Sequence, residues 1–335
     1  MIVLRRLATA LPVVAGVIVV TFLMTRALPG DPAVYFAGQA ATQQAIDEIR
    51  HQLGFDRSLP VQFLDYLDRL AHGDLGTSLT TGQPVLTELL TRLPASAELM
   101  LLALFFSVTI AVPLGITAAM RPGSPVDHAC RVVTTAGVSL PTFFTGLLLV
   151  YVFYYLLGVA PAPIGRLDVF FSPPPPHTGL YLIDSLLTGD VETFRAVLAQ
   201  LILPAATMAI FALAPLARIT RAAMLGALGS EFIRTARASG LSRRRIVFIY
   251  AFRNAVLPVI TTLGVVFSFM LGANVLVEKV FAWPGIGSYA VDALIASDYA
   301  PVEGFVLMMA LLYVLLNLGI DLVYGVVDPR VRLEA

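Results

Sequence analysis

The feature that most constrains this chain is a series of long apolar segments separated by polar or arginine-rich stretches. An α-helix needs roughly 20 apolar residues to cross a hydrocarbon core of about 30 Å. Segments long enough to do so cover residues 7–25, 99–120, 132–158, 197–217, 259–280 and 302–326. With 58% hydrophobic and 13% charged residues, the chain is also too apolar for a soluble protein. We therefore expect an all-α integral membrane protein with about six transmembrane helices.

This pattern divides the chain into four parts. They are a first transmembrane helix (1–30), a polar stretch (31–94), a five-helix core (95–328) and a short tail (329–335). A cleaved signal peptide would end in a small-x-small site, which residues 24–28 do not supply. We therefore expect the first helix to remain as a membrane span.

The polar stretch carries the signals of short soluble helices. Thr42 can cap a helix that Gly54 stops, and Pro60 can open another that Gly73 stops. Both predicted helices are amphipathic and too short to cross a membrane. Residues 31–94 therefore predict a small extracytoplasmic helical subdomain.

Several residues in or beside the spans could shape a pathway or a gate. Pro141 predicts a kink in the third span, either as ordinary packing or as part of a pathway lining. Asn317 and Asp321 lie one turn apart on the sixth span. Trp283, the only tryptophan, lies where an interfacial anchor belongs. The candidate pathway or gate residues are Ser139, Pro141, Phe144, Asn274, Trp283, Pro284, Gly285, Asn317 and Asp321. Residues 159–196 predict an irregular outer loop containing a stiff proline run.

A basic segment over residues 230–258 separates the fourth and fifth spans. Ser230 can cap a short helix, Gly240 can end it in the left-handed conformation, and Ser242 can cap the next helix. These signals predict two helices hinged at Gly240. A hinged helix pair between two spans is a docking element.

Three consecutive arginines, Arg243–Arg245, fall in the first turn of the second predicted helix. The peptide dipoles there disfavour cations by a few tenths of a kcal/mol each, so an anion nearby should compensate. One interpretation is that the arginines face lipid headgroups and fix the topology. The other is that they meet an acidic groove on a partner protein. Nothing in this pattern indicates nucleic-acid binding.

The distribution of arginine predicts the orientation in the membrane. If the N-terminus is cytosolic, the inner segments hold clearly more basic residues than the outer segments. These inner residues are Arg5, Arg6, Arg121, Arg131, Arg218, Arg221, Arg234, Arg237, Arg243, Arg244, Arg245, Arg253, Arg330 and Arg332. We therefore expect both termini and the basic segment to lie in the cytosol.

The basic segment resembles the cytosolic "EAA loop" of bacterial ATP-binding-cassette (ABC) importer permeases, in its dipeptide, oligopeptide and nickel branch. The resemblance rests on Arg-Thr-Ala-Arg-Ala-Ser-Gly-Leu at 234–241 and Arg-Asn-Ala-Val-Leu-Pro at 253–258. The chain departs from the general importer pattern where Arg234 replaces an acidic residue. The ATPase-coupling residues implied are Arg234, Thr235, Ala236, Arg237, Gly240, Leu241, Arg243, Arg244 and Arg245.

This resemblance implies a type I ABC importer permease fold in a bacterial cytoplasmic membrane. It also implies three kinds of partner: a sibling permease in a heterodimer, two ABC ATPase subunits and an extracytoplasmic solute-binding protein. Transport would proceed by alternating access, driven by the ATPases. ATP and Mg²⁺ would be bound by those ATPases, with no cofactor in this chain.

Other classes of function lack their sequence signals. The only lysine, Lys279, is not in a glycine-rich phosphate loop, and no spacing suggests catalytic or metal-ligating residues. A channel or secondary transporter would need ionisable residues within its spans, and we expect only Asp321 to qualify. Within the importer branch, nickel and glutathione remain alternatives to peptides. We favour short peptides, because a nickel pathway would be expected to offer histidines or carboxylates on a span.

Overall fold

The computed structural model describes residues 2–27, 33–34, 41–52 and 54–327, which are mainly helical. The helices, in chain order, are α1 (Ile2–Ala27), α2 (Gln43–Gln52), α3 (Leu59–Ala71), α4 (Val85–Met120), α5 (Pro125–Ser139), α6 (Thr142–Leu156), α7 (Tyr181–Leu187), α8 (Val191–Leu228), α9 (Glu231–Ala238), α10 (Arg243–Val280), α11 (Ile286–Ile295) and α12 (Tyr299–Val327). Short π-helical segments lie within α6, at Val150–Leu156, and within α10, at Ile246–Ala251. The all-α prediction is confirmed for the described residues.

Four of these helices, α4, α8, α10 and α12, are long and apolar enough to cross a membrane. The pair α5 and α6 can count as a fifth span, although the two helices meet at an angle of 108°. In α1, the described apolar stretch, Leu11–Met24, is shorter. The prediction of six spans therefore stays a prediction.

The third predicted span is two helices rather than one kinked helix. Helix α5 ends at Ser139, and Leu140 is extended with φ −103° and ψ 133°. Pro141 then precedes the first turn of α6. The proline ring disfavours helical conformation in the residue before it, and this explains why the helix stops at this point.

The chain forms two compact units. Among the described residues, the first contains Ala97–Trp283 and residues 315–327. In this unit, part of the predicted irregular outer loop, residues 159–196, is helical. Helix α7 and the start of α8 lie within it. The irregular part is tied to α4 by a buried ion pair, in which Arg166 Nη2 lies 2.6 Å from Glu98 Oε2.

The second unit contains Ile2–Ser96 and Pro284–Val314. It includes both predicted short helices, α2 and α3, and the glycines that follow them have φ of +70° at Gly54 and +74° at Gly73. Helix α4 starts in this unit at Val85, well before the predicted span. Val85 and Leu89 are fully buried against α11, so tertiary packing extends the helix beyond the apolar run. The predicted boundary near residue 94 thus falls inside a helix.

Candidate functional site

The predicted hinge at Gly240 has the geometry of a Schellman cap. Gly240 has φ +75°. Its N–H donates to Arg237 O at 3.0 Å, and Leu241 N–H donates to Ala236 O at 3.3 Å. These two bonds satisfy the last carbonyls of α9 and set the direction in which the chain leaves it. The next helix starts as predicted, with Ser242 Oγ accepting from Arg245 N–H at 3.4 Å.

Helix α9 packs against the rest of the protein through one narrow apolar face. Ile233 is fully buried and Ala236 is 7% exposed, and both pack with Ile116, Ala119 and Met224 at the ends of α4 and α8. The intervening Arg234 and Thr235 are exposed. Ala236 therefore acts in packing, while Arg234 and Thr235 present an outward polar face. Arg234 forms an exposed ion pair with Glu231 at 3.1 Å within the same helix.

A cleft of about 430 Å³ opens beside α9. Its apolar lining comes from Met120, Leu228, Leu241, Ile246 and Val247, and Arg237 and Arg243 also line it. Arg243–Arg245 are exposed. Among the described residues, none of the three forms an ion pair with a carboxylate. The described part of the chain therefore does not supply the anion that their helix position favours.

The structure corrects the expectation for Trp283. Its side chain is fully buried, so it is not an interfacial anchor. Trp283 N–H donates to Glu278 O at 2.7 Å in a second helix cap, and Ala282 occupies the left-handed position with φ +50°. Pro284 is exposed and Gly285 is buried as α11 begins. Packing around the end of α10 accounts for the buried ring, which a position-based rule for tryptophan does not capture.

Helix α10 contains an ionisable residue that the sequence analysis overlooked. Glu278 is fully buried, and Asn274 Nδ2 donates to its Oε1 at 2.5 Å. Asp321 is thus not alone as an acidic residue in the long apolar helices. Their spacing could have predicted this contact, because Asn274 and Glu278 are four residues apart and so share a helix face.

The other candidate pathway residues lie on different helices. Ser139 and Phe144 are exposed at either side of the α5–α6 break, and Ser139 Oγ donates to Thr135 O at 2.8 Å. Asn317 is half-buried on α12. The Asp321 side chain lies outside the described atoms. Their role in a pathway stays a prediction.

In this helical membrane protein, the capped helix α9 and a basic surface beside a cleft lie between two long apolar helices, α8 and α10. This is the organisation of a transporter subunit. The family model described as "Binding-protein-dependent transport system inner membrane component" matches residues 111–333, and its N-terminal counterpart matches residues 1–100. The chain belongs to this family of multi-pass inner membrane proteins. The type I importer fold is also confirmed: a MetNI methionine ABC transporter structure in inward-facing conformations matches with a TM-score of 0.54 at 15% identity, covering 72% of this chain and 97% of that one.

Curated relatives match over nearly the whole chain. The probable D,D-dipeptide transport system permease protein DdpB of Escherichia coli K12 is 46% identical, with 95% of this chain and 94% of the relative covered. The di/tripeptide transport system permease protein DppB of Pseudomonas aeruginosa is 42% identical, with 98% and 97% covered. The dipeptide transport system permease protein DppB of E. coli K12 is 38% identical, with 98% of each covered. The predicted resemblance to importer permeases is confirmed.

Proposed function

We propose that this chain is the permease subunit of an ATP-driven importer of short peptides. It forms the membrane pathway together with a sibling permease as a heterodimer. Two ABC ATPase subunits dock on its cytosolic side, and a solute-binding protein delivers peptide from outside. The relatives named for dipeptide and di/tripeptide transport, at 38–46% identity, support this choice of substrate over nickel or glutathione.

The observation that carries this proposal is the geometry of α9. One face of the helix is locked into the ends of α4 and α8, while the opposite face is exposed and ends at a rigid glycine cap. A push on the exposed face is therefore passed directly to two long apolar helices, because a close-packed interface transmits displacement. This is the arrangement required for ATPase motion to drive alternating access.

The exposed arginines provide the chemistry for docking. Arg243–Arg245 have an unfavourable position at the start of α10 and form no ion pair with a carboxylate of the described chain. We infer that they meet an acidic groove on the ATPase, with lipid headgroups as the alternative. ATP and Mg²⁺ are then held by the ATPase, and this chain has no catalytic role in hydrolysis. Both chain termini lie on the same cytosolic side.

Reconstitution tests the proposal. The permease would be co-expressed with its sibling, ATPases and binding protein, inserted into proteoliposomes and supplied with ATP. We expect ATP-dependent uptake of a labelled dipeptide, and none when the ATPase carries an inactive Walker lysine. Uptake of labelled glutathione or Ni²⁺ in place of dipeptide would refute the substrate, and peptide uptake without ATP would indicate a secondary transporter.

A further inference from the structure

A buried carboxylate, Asp127, joins three segments at one end of the first unit. The Asp127 side chain is fully buried at the start of α5. Arg221 of α8 donates to both of its oxygens, through Nε to Oδ1 and through Nη2 to Oδ2 at 3.0 Å. Gly123 N–H, in the turn after α4, donates to Oδ2 at 2.9 Å. Arg131 Nη2 donates to the same oxygen at 2.9 Å.

The cap at the start of α5 fixes the position of the Asp127 carboxylate. Ser124 Oγ accepts from Asp127 N–H at 3.3 Å and Pro125 opens the helix, which fixes the backbone around the carboxylate. The two parallel hydrogen bonds from the Arg221 guanidinium fix the angle between the guanidinium and the Asp127 carboxylate as well as their separation. Asp127 thus holds α8 in one orientation relative to the α4–α5 turn.

A second, independent contact holds α8 against α4 just beside this point. A Cβ added at Gly115 of α4 would lie 2.7 Å from Thr220 Cβ and 2.9 Å from Ala217 O of α8. The two backbones therefore approach as closely as glycine allows. Arg221 follows Thr220 directly, so the close approach and the polar contact act on consecutive residues of α8.

Helix α9 packs on the neighbouring ends of α4 and α8. Met224, three residues after Arg221 and fully buried, packs with Ile116 and Ala119 of α4 and with Ile233 and Ala236 of α9. Helix α8 ends at Leu228, only three residues before α9 begins. Any sliding of α8 along α4 would therefore shift the surface on which α9 rests.

We propose that Asp127 and Arg221 are positioning residues for energy coupling: they hold α4, α5 and α8 as one block, so that displacement of α9 moves the membrane helices instead of being absorbed by slippage. The inference rests on the proposed importer function. It does not require either residue to touch the peptide, ATP or the ATPase. Apolar packing alone permits small shear movements between helices, whereas a two-bond ion pair resists them.

The test uses the complete reconstituted complex and two readouts, ATP hydrolysis and peptide taken up per ATP hydrolysed. Asp127→Asn keeps the shape of the side chain and removes its charge, and Arg221→Lys keeps the charge and removes the paired geometry. We expect both variants to assemble and hydrolyse ATP at near the wild-type rate. Peptide uptake per ATP should fall by about tenfold, within the range of typical coupling between sites.

Arg218→Lys is the matched control, because Arg218 lies one turn earlier on α8, is exposed and forms no ion pair with a described carboxylate. Its uptake per ATP should stay at the wild-type value. Wild-type uptake per ATP in Arg221→Lys, or an equal loss of hydrolysis and uptake in both variants, would overturn the proposal. Arg221→Lys decides the question if Asp127→Asn does not assemble. Failure of the importer function itself would appear separately, as absent ATP-dependent uptake by the wild-type complex.

Discussion

Replacing Gly240 with valine isolates the backbone conformation that ends α9. Gly240 has φ +75°, and a Cβ added there would meet no atom within 4 Å. The added Cβ therefore clashes with no neighbour, and the cost that the backbone sets is the strain of the left-handed region. That strain is roughly 1–2 kcal/mol for an ordinary residue, with a β-branched side chain at the upper end. A change of this size shifts the balance between the capped and uncapped connection by about 5–30-fold.

We expect Gly240→Val to insert into the membrane but to lose peptide-stimulated ATP hydrolysis by the assembled complex. The strained connection would release the two hydrogen bonds to Arg237 O and Ala236 O that fix the exit from α9. Insertion would be measured by membrane fractionation, and hydrolysis by phosphate release with and without peptide-loaded binding protein.

Two companion variants make the result interpretable. Gly240→Asn should retain most of the stimulation, since asparagine tolerates the left-handed conformation better than other residues. Gly226→Val adds the same side chain within α8, at a helical glycine with no atom within 4 Å of the added Cβ. Unchanged stimulation in Gly240→Val, or an equal loss in Gly240→Asn, would refute the reasoning from φ.

The remaining predictions concern docking, topology and packing. Changing all of Arg243–Arg245 to glutamine should weaken co-purification of the ATPase. A single change should make attachment more sensitive to salt, because exposed charge pairs are screened over about 8 Å at physiological ionic strength. Salt-independent co-purification of the triple variant at wild-type yield would favour the lipid interpretation. A cysteine at position 64, where Leu64 is 64% exposed, should react with an impermeant thiol reagent only from outside. Gly115→Ala should lower the melting temperature of the solubilised protein, since overpacking costs roughly 1–3 kcal/mol, whereas Gly264→Ala should cost less because its nearest neighbour is the movable Cδ1 of Ile320.

Local sequence signals predicted the elements whose causes are local. Ser242 and Gly240 lie at the helix ends that they were expected to form, because capping depends on one residue and its nearest backbone groups. The short helices α2 and α3 were predicted for the same reason. Apolar run length located four of the long helices, although their ends differ from the predicted limits.

The outward face of α9 was also predictable in part. The motif predicted that Arg234 to Leu241 form one coupling segment, and that role stays a prediction, but the motif did not separate packing residues from exposed ones. Ala236 is buried and Arg237 is exposed because of where α4 and α8 end, and those positions depend on the whole helix assembly.

Several features were decided only by tertiary structure. Trp283 is buried rather than interfacial, and Asp127 pairs with Arg221, 94 positions away in sequence. Each depends on neighbours that are distant in the chain, so neither composition nor spacing could specify it. The sequence by itself determined that this chain crosses a membrane as helices and exposes a capped basic segment, since hydropathy and capping are local properties. Which buried polar groups meet, and therefore which helices move together, was determined by packing, because burying a charge is tolerated only where distant segments supply its partners.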